Sequence, residues 1–358
     1  MSTRACLVVL GALSLSVTLA AERLPIRTYT TTDGLPHNQI NRIVRDSRGF
    51  LWFCTADGLS RFDGYRFTTY GDDQGLPHGD VTALIETRDH RYWVGTNGGL
   101  ARFDPTWPAS RRADSSAGSM FTVITAGDAE AVASPVGALV EGGDGTVWVG
   151  TSKGLFRVED TGGRPRLVAI DIGLPREFPA QAIVNGIMAD RRGSLWVATP
   201  TGLYRRWPDG THARYTVLDG LPDDFIHDLH EDRNGALWAA TRRAGFFQFA
   251  ATDAHAAPTV VRTFAVADGL PSVWVFQLFE GSDGTLWAAT ANGVARLDVS
   301  GGRATLRSYG VRQGLSYHEI SAIQEDTSGN LWLGTNTVGV MKVARGGITT
   351  YDRADGLT

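Results

Sequence analysis

Three short stretches of this sequence carry residue types capable of chemistry. "HDLHED" places His227 and His230 three apart, a spacing that on a helix lets two imidazoles share a zinc ion. "GTSKG", Gly150 to Gly154, matches the Gly-x-Ser-x-Gly turn that exposes a nucleophilic serine where a strand runs into a helix. Cys54 would be a nucleophile if a neighbouring base kept it as thiolate. Each reading depends on the element beneath it, and the elements argue against all three. The histidines fall in a strand pattern, where residues three apart point to opposite faces and cannot share a metal. The serine lies in one of a repeated set of strand-to-strand loops. Cys54 takes a slot that holds Gly or Ala in sister copies, the place of a small buried filler. No catalytic set, metal or cofactor is expected.

Those elements come from a repeat. Trp recurs at 52, 93, 148, 196, 238, 287 and 332, with spacings of 41, 55, 48, 42, 49 and 45 residues. Thr follows three later in all seven copies. Ile or Leu stands nine before each Trp, and Ile or Val twelve before. Gly stands three before in six copies, with His90 the exception. Glu86, Glu141, Glu231, Glu280 and Glu325 stand seven before, and repetition marks them as scaffold that accepts turn amides.

The first copy reads as four short strands, "INRIVRD", "FLWFCT", "GLSRFD" and "YRFTTY". A Gly-containing turn joins the first two and a Thr-x-x-Gly loop the next two, and no stretch sustains a helical period. Such a unit alone leaves an apolar face in water, so units must stack. Seven units of this length predict an all-β, seven-bladed β-propeller of four-stranded antiparallel blades. The Trp residues then fill equivalent niches between blades rather than form a stacking platform. "PIRTYT" near the start and "GGITTYD" near the end read as the same outermost strand. The first is expected to complete blade seven and close the ring. The second would begin a following domain, making the chain the front portion of a longer protein.

Bulk properties set the remaining bounds. The chain has 358 residues, 42% hydrophobic, with a net charge of only −4, which gives no argument for nucleic acid or an anionic membrane as partner. Residues 1–21 read as a signal peptide, with Arg4, the apolar run "ACLVVLGALSLSVTLA" and small residues before Glu22. Residues 22–358 form the propeller. With the leader removed Cys54 is the one thiol, so no internal disulfide is expected.

"DGLPHNQINRIVRDSRGFLWFCTADGLSRFDG" and "QGLPHGDVTALIETRDHRYWVGTNGGLARFD" resemble the two-component regulator propeller repeat, and the similarity runs from about residue 26 to the end. Copy three departs, with "DAEAVASPV" in place of the Gly-Leu-Pro lead-in, and copy four carries extra residues in "REFPAQA". The resemblance implies a periplasmic sensing region of a regulator anchored in the inner membrane. It implies a following immunoglobulin-like domain and a histidine kinase or diguanylate cyclase output. The stretch itself holds no kinase phosphoacceptor helix and no nucleotide loop.

A ligand site is expected where the copies disagree on one face. The links after Gly-Leu-Pro and the second-to-third-strand loops open around one channel mouth. Their variable occupants are His37, Asn38 and Gln39; His78 and Asp80; Arg176 and Glu177; Asp223 and Asp224; Trp274; and Tyr317, His318 and Glu319. Carboxylates, imidazoles, amides and aromatics at a concave mouth suit a small polar ligand such as an oligosaccharide. The insertion at 105–120 belongs to the opposite face and reads as a mobile surface loop. The chain is therefore read as an exported ligand-binding sensor propeller without catalysis. The alternatives are a lyase-like or lactonase-like propeller enzyme and a protein-interaction ring, and a homodimer is left open.

Overall fold

The computed structural model describes residues 24–106, 119–128, 132–175, 178–251, 257–300 and 303–345. The leader at 1–21, the "GGITTYD" strand and residues 107–118 of the insertion lie outside them. The described residues form 28 strands and six three-residue 3-10 turns, arranged as seven four-stranded antiparallel sheets. Among them no helix is long and apolar enough to cross a membrane.

Blade 1 shows the local logic. Its strands are Ile40–Arg45, Leu51–Thr55, Gly58–Phe62 and Phe67–Tyr70, hydrogen-bonded in that order from the channel outward. The second strand is buried along its whole length because neighbouring blades cover both of its faces. Asp46 organises the first turn. Its Oδ1 accepts the amides of Arg48 and Phe50, and its Oδ2 accepts the indole N–H of Trp52 at 3.0 Å. Asp190, Asp232 and Asp326 serve Trp196, Trp238 and Trp332 in the same way, each at 2.9 Å.

The seven threonines have one shared task. Each donates its hydroxyl to the carbonyl of the glycine leading into the third strand, from Thr55 to Gly58 at 2.8 Å through Thr335 to Gly339 at 2.8 Å. The same oxygen accepts an amide from within the loop. Every one is fully buried. A valine of equal shape would strand two backbone groups, which explains why the position is never apolar.

The apolar layers lie between blades. Trp52 packs with Leu76, Tyr92, Val94 and Phe103 of blade 2, and Trp332 of blade 7 packs with Ile43, Phe53 and Phe62 of blade 1. The other five clusters likewise each draw on two adjacent blades. Burying one Trp removes roughly 200 Å² from water, worth at most about 5 kcal/mol by area. A single blade forgoes this.

Polar ties reinforce the same seams. The repeated glutamates accept turn amides, as the repetition predicts, and the amides belong to the preceding blade. Ser47 N–H reaches Glu86 at 2.6 Å, Arg88 reaches Glu141 at 2.9 Å, and Arg191 reaches Glu231 at 2.9 Å. Arg233 reaches Glu280 at 2.8 Å, and Ser282 reaches Glu325 at 2.7 Å. At the join of blades 7 and 1, Arg45 donates to the Asp326 carbonyl at 3.1 Å instead. Between blades 3 and 4 the glutamate slot holds Ala189, and the guanidinium of Arg206 lies 5.4 Å over the Trp148 ring.

Closure uses the N-terminal strand, as its sequence echo predicts. Ile26–Tyr29 pairs antiparallel with Val340–Val343, from Ile26 opposite Val343 to Tyr29 opposite Val340. Gly339 is required at this join. Its φ is +84°, and a Cβ there would stand 2.1 Å from the Tyr29 carbonyl oxygen. His90 takes the glycine slot of its own turn with φ 61°, and its ring meets Glu86 at 2.8 Å.

Asp190→Ala would leave the Trp196 indole and two turn amides without a buried acceptor. The expected loss is on the order of 3 kcal/mol, read as a lower thermal midpoint. An unchanged midpoint would contradict the structural role given to this aspartate.

Candidate functional site

Three positions per repeat reach the channel mouth: the residue thirteen before Trp, the one eleven before, and the one four after. A β-bulge at the start of the inner strand, between Ile40 and Arg42 in blade 1 and at the equivalent place in five other blades, frees the middle one from the ladder. In four blades, blade 4 among them without a bulge, the side chain at this position ties the ring together. Asn41 donates to the Val81 carbonyl at 2.7 Å, Thr82 to Val136 at 2.5 Å, Asn185 to Ile226 at 2.8 Å and Ser321 to Ile40 at 2.7 Å. Blades 3, 5 and 6 carry Gly137, His227 and Phe276 there instead.

The mouth consequently has two unlike sides. On blades 7, 1 and 2 carboxylates meet amides. Asp80 accepts Asn41 at 2.7 Å and Asn97 at 2.5 Å, Gln39 donates to Asn41 at 3.1 Å, and Asn336 donates to Glu319. On blades 5 and 6 the side chains are aromatic. The Trp274 and Phe276 rings lie 4.8 Å apart, and His227 sits 5.1 Å from Phe225 and 5.8 Å from Phe276. The indole N–H of Trp274 donates to His227 Nε2 at 2.9 Å. The Arg242 guanidinium stacks 4.8 Å over Trp274 and 5.1 Å over Phe225.

Burial, with the positive charge of Arg242 beside it, pulls the His227 imidazole down to about 4 from 6.5, against the opposing field of Asp223. His227 is therefore neutral near pH 7, with Nε2 as acceptor and its proton on Nδ1. Further down the channel, burial pushes the Asp228 carboxyl of blade 5 up, against the field of Arg42 of blade 1 across the axis. Asp228 also accepts the Leu278 amide of blade 6 at 2.9 Å. Cys54 is fully buried and its thiol is pushed up to about 12, so it is inert.

The residues singled out in the sequence fall into distinct groups. Gln39, Asp80, Trp274 and Glu319 come together at the mouth. His37 and His78 are exposed, and each Nδ1 accepts an amide two residues on, at 2.9 Å. Asn38 and Asp224 fix the preceding 3-10 turn by accepting the amides of Thr31 and Val217. Asp223 is buried and held by Arg243 at 2.6 Å. The Tyr317 and His318 rings lie 4.4 Å apart. Arg176 and Glu177 lie outside the described residues. Asn41, Asn97, Phe225, His227, Arg242, Phe276 and Asn336, which share these positions, were not singled out in the sequence. Their signal was present as a repeat position that changes chemical type, but the bulge that turns it toward the mouth was not.

A recess of about 750 Å³ opens on the opposite face between blades 1 and 2. It holds Ser47, Glu86 and His90, a trio that invites a hydrolytic reading. The Ser47 hydroxyl donates to Glu86 at 2.7 Å, and both Ser47 and Glu86 meet the same imidazole nitrogen, Nδ1. A proton relay needs opposite nitrogens, so this trio ties turns together and performs no acyl transfer.

The two component regulator propeller model matches residues 34–57, 75–98, 220–243, 269–292 and 314–337. The chain thus carries five repeats of the two component regulator propeller type. The matched segments are blades 1, 2, 5, 6 and 7, the five whose link carries a 3-10 turn with an Asp or Gln side chain accepting the amide at its start. Blades 3 and 4 depart where the sequence does. Among solved structures the chain is similar to the extracellular domain of a protein described as a hybrid two component system from B. thetaiotaomicron. The identity is 17% and the TM-score 0.73, over 90% of this chain and 41% of that one. It is also similar to virginiamycin B lyase from Staphylococcus aureus, at 15% identity and TM-score 0.66 over 90% and 99% of the two chains. PorZ of Porphyromonas gingivalis matches at 17% identity and TM-score 0.63, over 87% and 47%. At these identities the likeness is one of fold. The chain spans less than half the length of the two component relative. No curated protein matches it in sequence.

Acid titration tests the Trp274–His227 bond. The unfolded imidazole takes its proton near 6.5 and the folded one near 4. The stability tied to this group is thus full above about 6.5 and is lost as pH falls toward 4. The emission difference between the wild-type protein and Trp274→Phe should change with a midpoint near 4; a midpoint near 6.5 would contradict the assignment.

Proposed function

We propose that the chain is the exported, non-catalytic input propeller of a two-component-type sensor, binding a small polar ligand at the channel mouth. One observation carries this reading. The positions repeated in all blades are consumed by hydrogen bonds that hold the ring, whereas the three mouth positions differ from blade to blade and converge on one face. The five two component regulator propeller repeats support the sensing role. The carboxylate–amide groups around Asp80 and Glu319 suit hydroxyls, and the Trp274–Phe276 pair suits the flat face of a ring such as a sugar. The likeness to lyases is one of fold and favours no turnover here. In this reading the propeller works in the periplasm, its parent is held in the inner membrane, and immunoglobulin-like and kinase or cyclase domains carry the output. Ligand transmits a signal only by favouring one arrangement of these parts.

Calorimetry with a panel of polar small molecules and oligosaccharide fragments tests it. Saturable binding is expected, insensitive to chelator, with the ligand recovered unchanged by mass spectrometry. Asn97→Ala and Trp274→Ala should each weaken binding about tenfold or more. Formation of a product would move the protein to the enzyme class.

A further inference from the structure

The free donors at the mouth are concentrated on blade 5. The rim carboxylates are engaged: Asp80 by two amides, Glu319 by one, Asp223 by Arg243, and Asp224 by a turn amide. The Arg242 guanidinium differs. It is exposed, it lies over the Trp274 and Phe225 rings, and no described group takes any of its N–H donors in a hydrogen bond or ion pair. His227, packed beside these rings, gives its Nε2 to Trp274, so its Nδ1–H is a second donor that no described group accepts.

An arginine held over two aromatic rings with its fork open loses less side-chain entropy than a free one when it takes a two-oxygen anion. A neutral imidazole N–H next to it adds a directed hydrogen bond without needing a charge. The aromatic surface that Trp274 and Phe276 leave beside the guanidinium receives the ring that bears the anion, and the carboxylate–amide groups across the mouth accept and donate to hydroxyls. The two sides therefore set a direction for the ligand.

Resting on the mouth being the ligand site, we propose that the ligand is an acidic saccharide whose carboxylate or sulfate is bound by Arg242 and the Nδ1–H of His227, with its ring on Trp274. The hydroxyl-rich remainder lies toward blades 7, 1 and 2.

A binding screen that pairs acidic oligosaccharides (pectin, alginate, hyaluronan and heparan sulfate fragments) with neutral ones (cello-, xylo-, malto- and galacto-oligosaccharides) tests this on the purified protein. The expected result is binding confined to the acidic set. Arg242→Gln should weaken it at least thirtyfold, and Arg242→Lys, which keeps the charge and loses the fork, should restore part of that. Free sulfate at millimolar concentration should compete with the bound fragment. Acidic fragments bound equally by wild type and Arg242→Gln would overturn the subsite. A neutral fragment bound with equal affinity by both, and lost in Asn97→Ala, would overturn the anion assignment and leave the mouth reading standing. Absence of binding from either set would sink both.

Discussion

Four strands cannot bury two faces by themselves, and the whole architecture follows from that constraint. Each blade of this chain has a second strand covered on both sides, and its Trp is satisfied only when the next blade closes over it. Seven such contacts in a row form a ring with one remaining problem, the unpaired strand edge where the last blade meets the first. The N-terminal strand solves it by pairing with Val340–Val343, so the chemistry of closure is the same antiparallel ladder used elsewhere.

The hydrogen bonds divide into two classes with different consequences. One class repeats: threonine to glycine carbonyl, aspartate to indole, glutamate to the preceding blade's amide. These groups are buried or nearly so and have no capacity left for a ligand. The other class occurs at the bulged start of the inner strand, where the residue is released from the ladder. Asn41, Thr82 and Ser321 spend that freedom on tying the next blade, and Asn185 of the unbulged blade 4 makes the same tie. His227 and Phe276 do not, and that side of the mouth is where unused donors and aromatic surface accumulate.

Blades 3 and 4 are the irregular part of the ring. Among the described residues their links show no capped 3-10 turn, and the glutamate that ties other seams is replaced at Ala189, so that Arg206 over Trp148, an apolar layer and the Val184 amide on the Thr151 carbonyl join them. The same two blades escape the family match. At blade 4 the repeat signature and the glutamate tie are both lost, whereas blade 3 keeps its tie through Glu141 and blade 1 replaces the glutamate by Arg45.

Much of this was legible in the sequence. Seven in-register Trp and Thr positions determined the blade count, and the doubled strand at the N-terminus determined how the ring closes, because each reports a short-range hydrogen-bond pattern. Cys54 could be read as a buried filler from its slot. The site was only half legible. Gln39, Asp80, Trp274 and Glu319 were found as odd residues at the mouth. His37, Asn38, His78 and Asp224 looked equivalent to them, yet their side chains hold their own turns. His227 looked structural, and only the bulge that rotates it out of the ladder, together with the approach of Trp274 and Arg242 from neighbouring loops, decided that it faces the mouth. Periodicity specifies which residues are alike; where the unlike ones point is set by contacts between segments tens of residues apart, and those exist only in the closed ring.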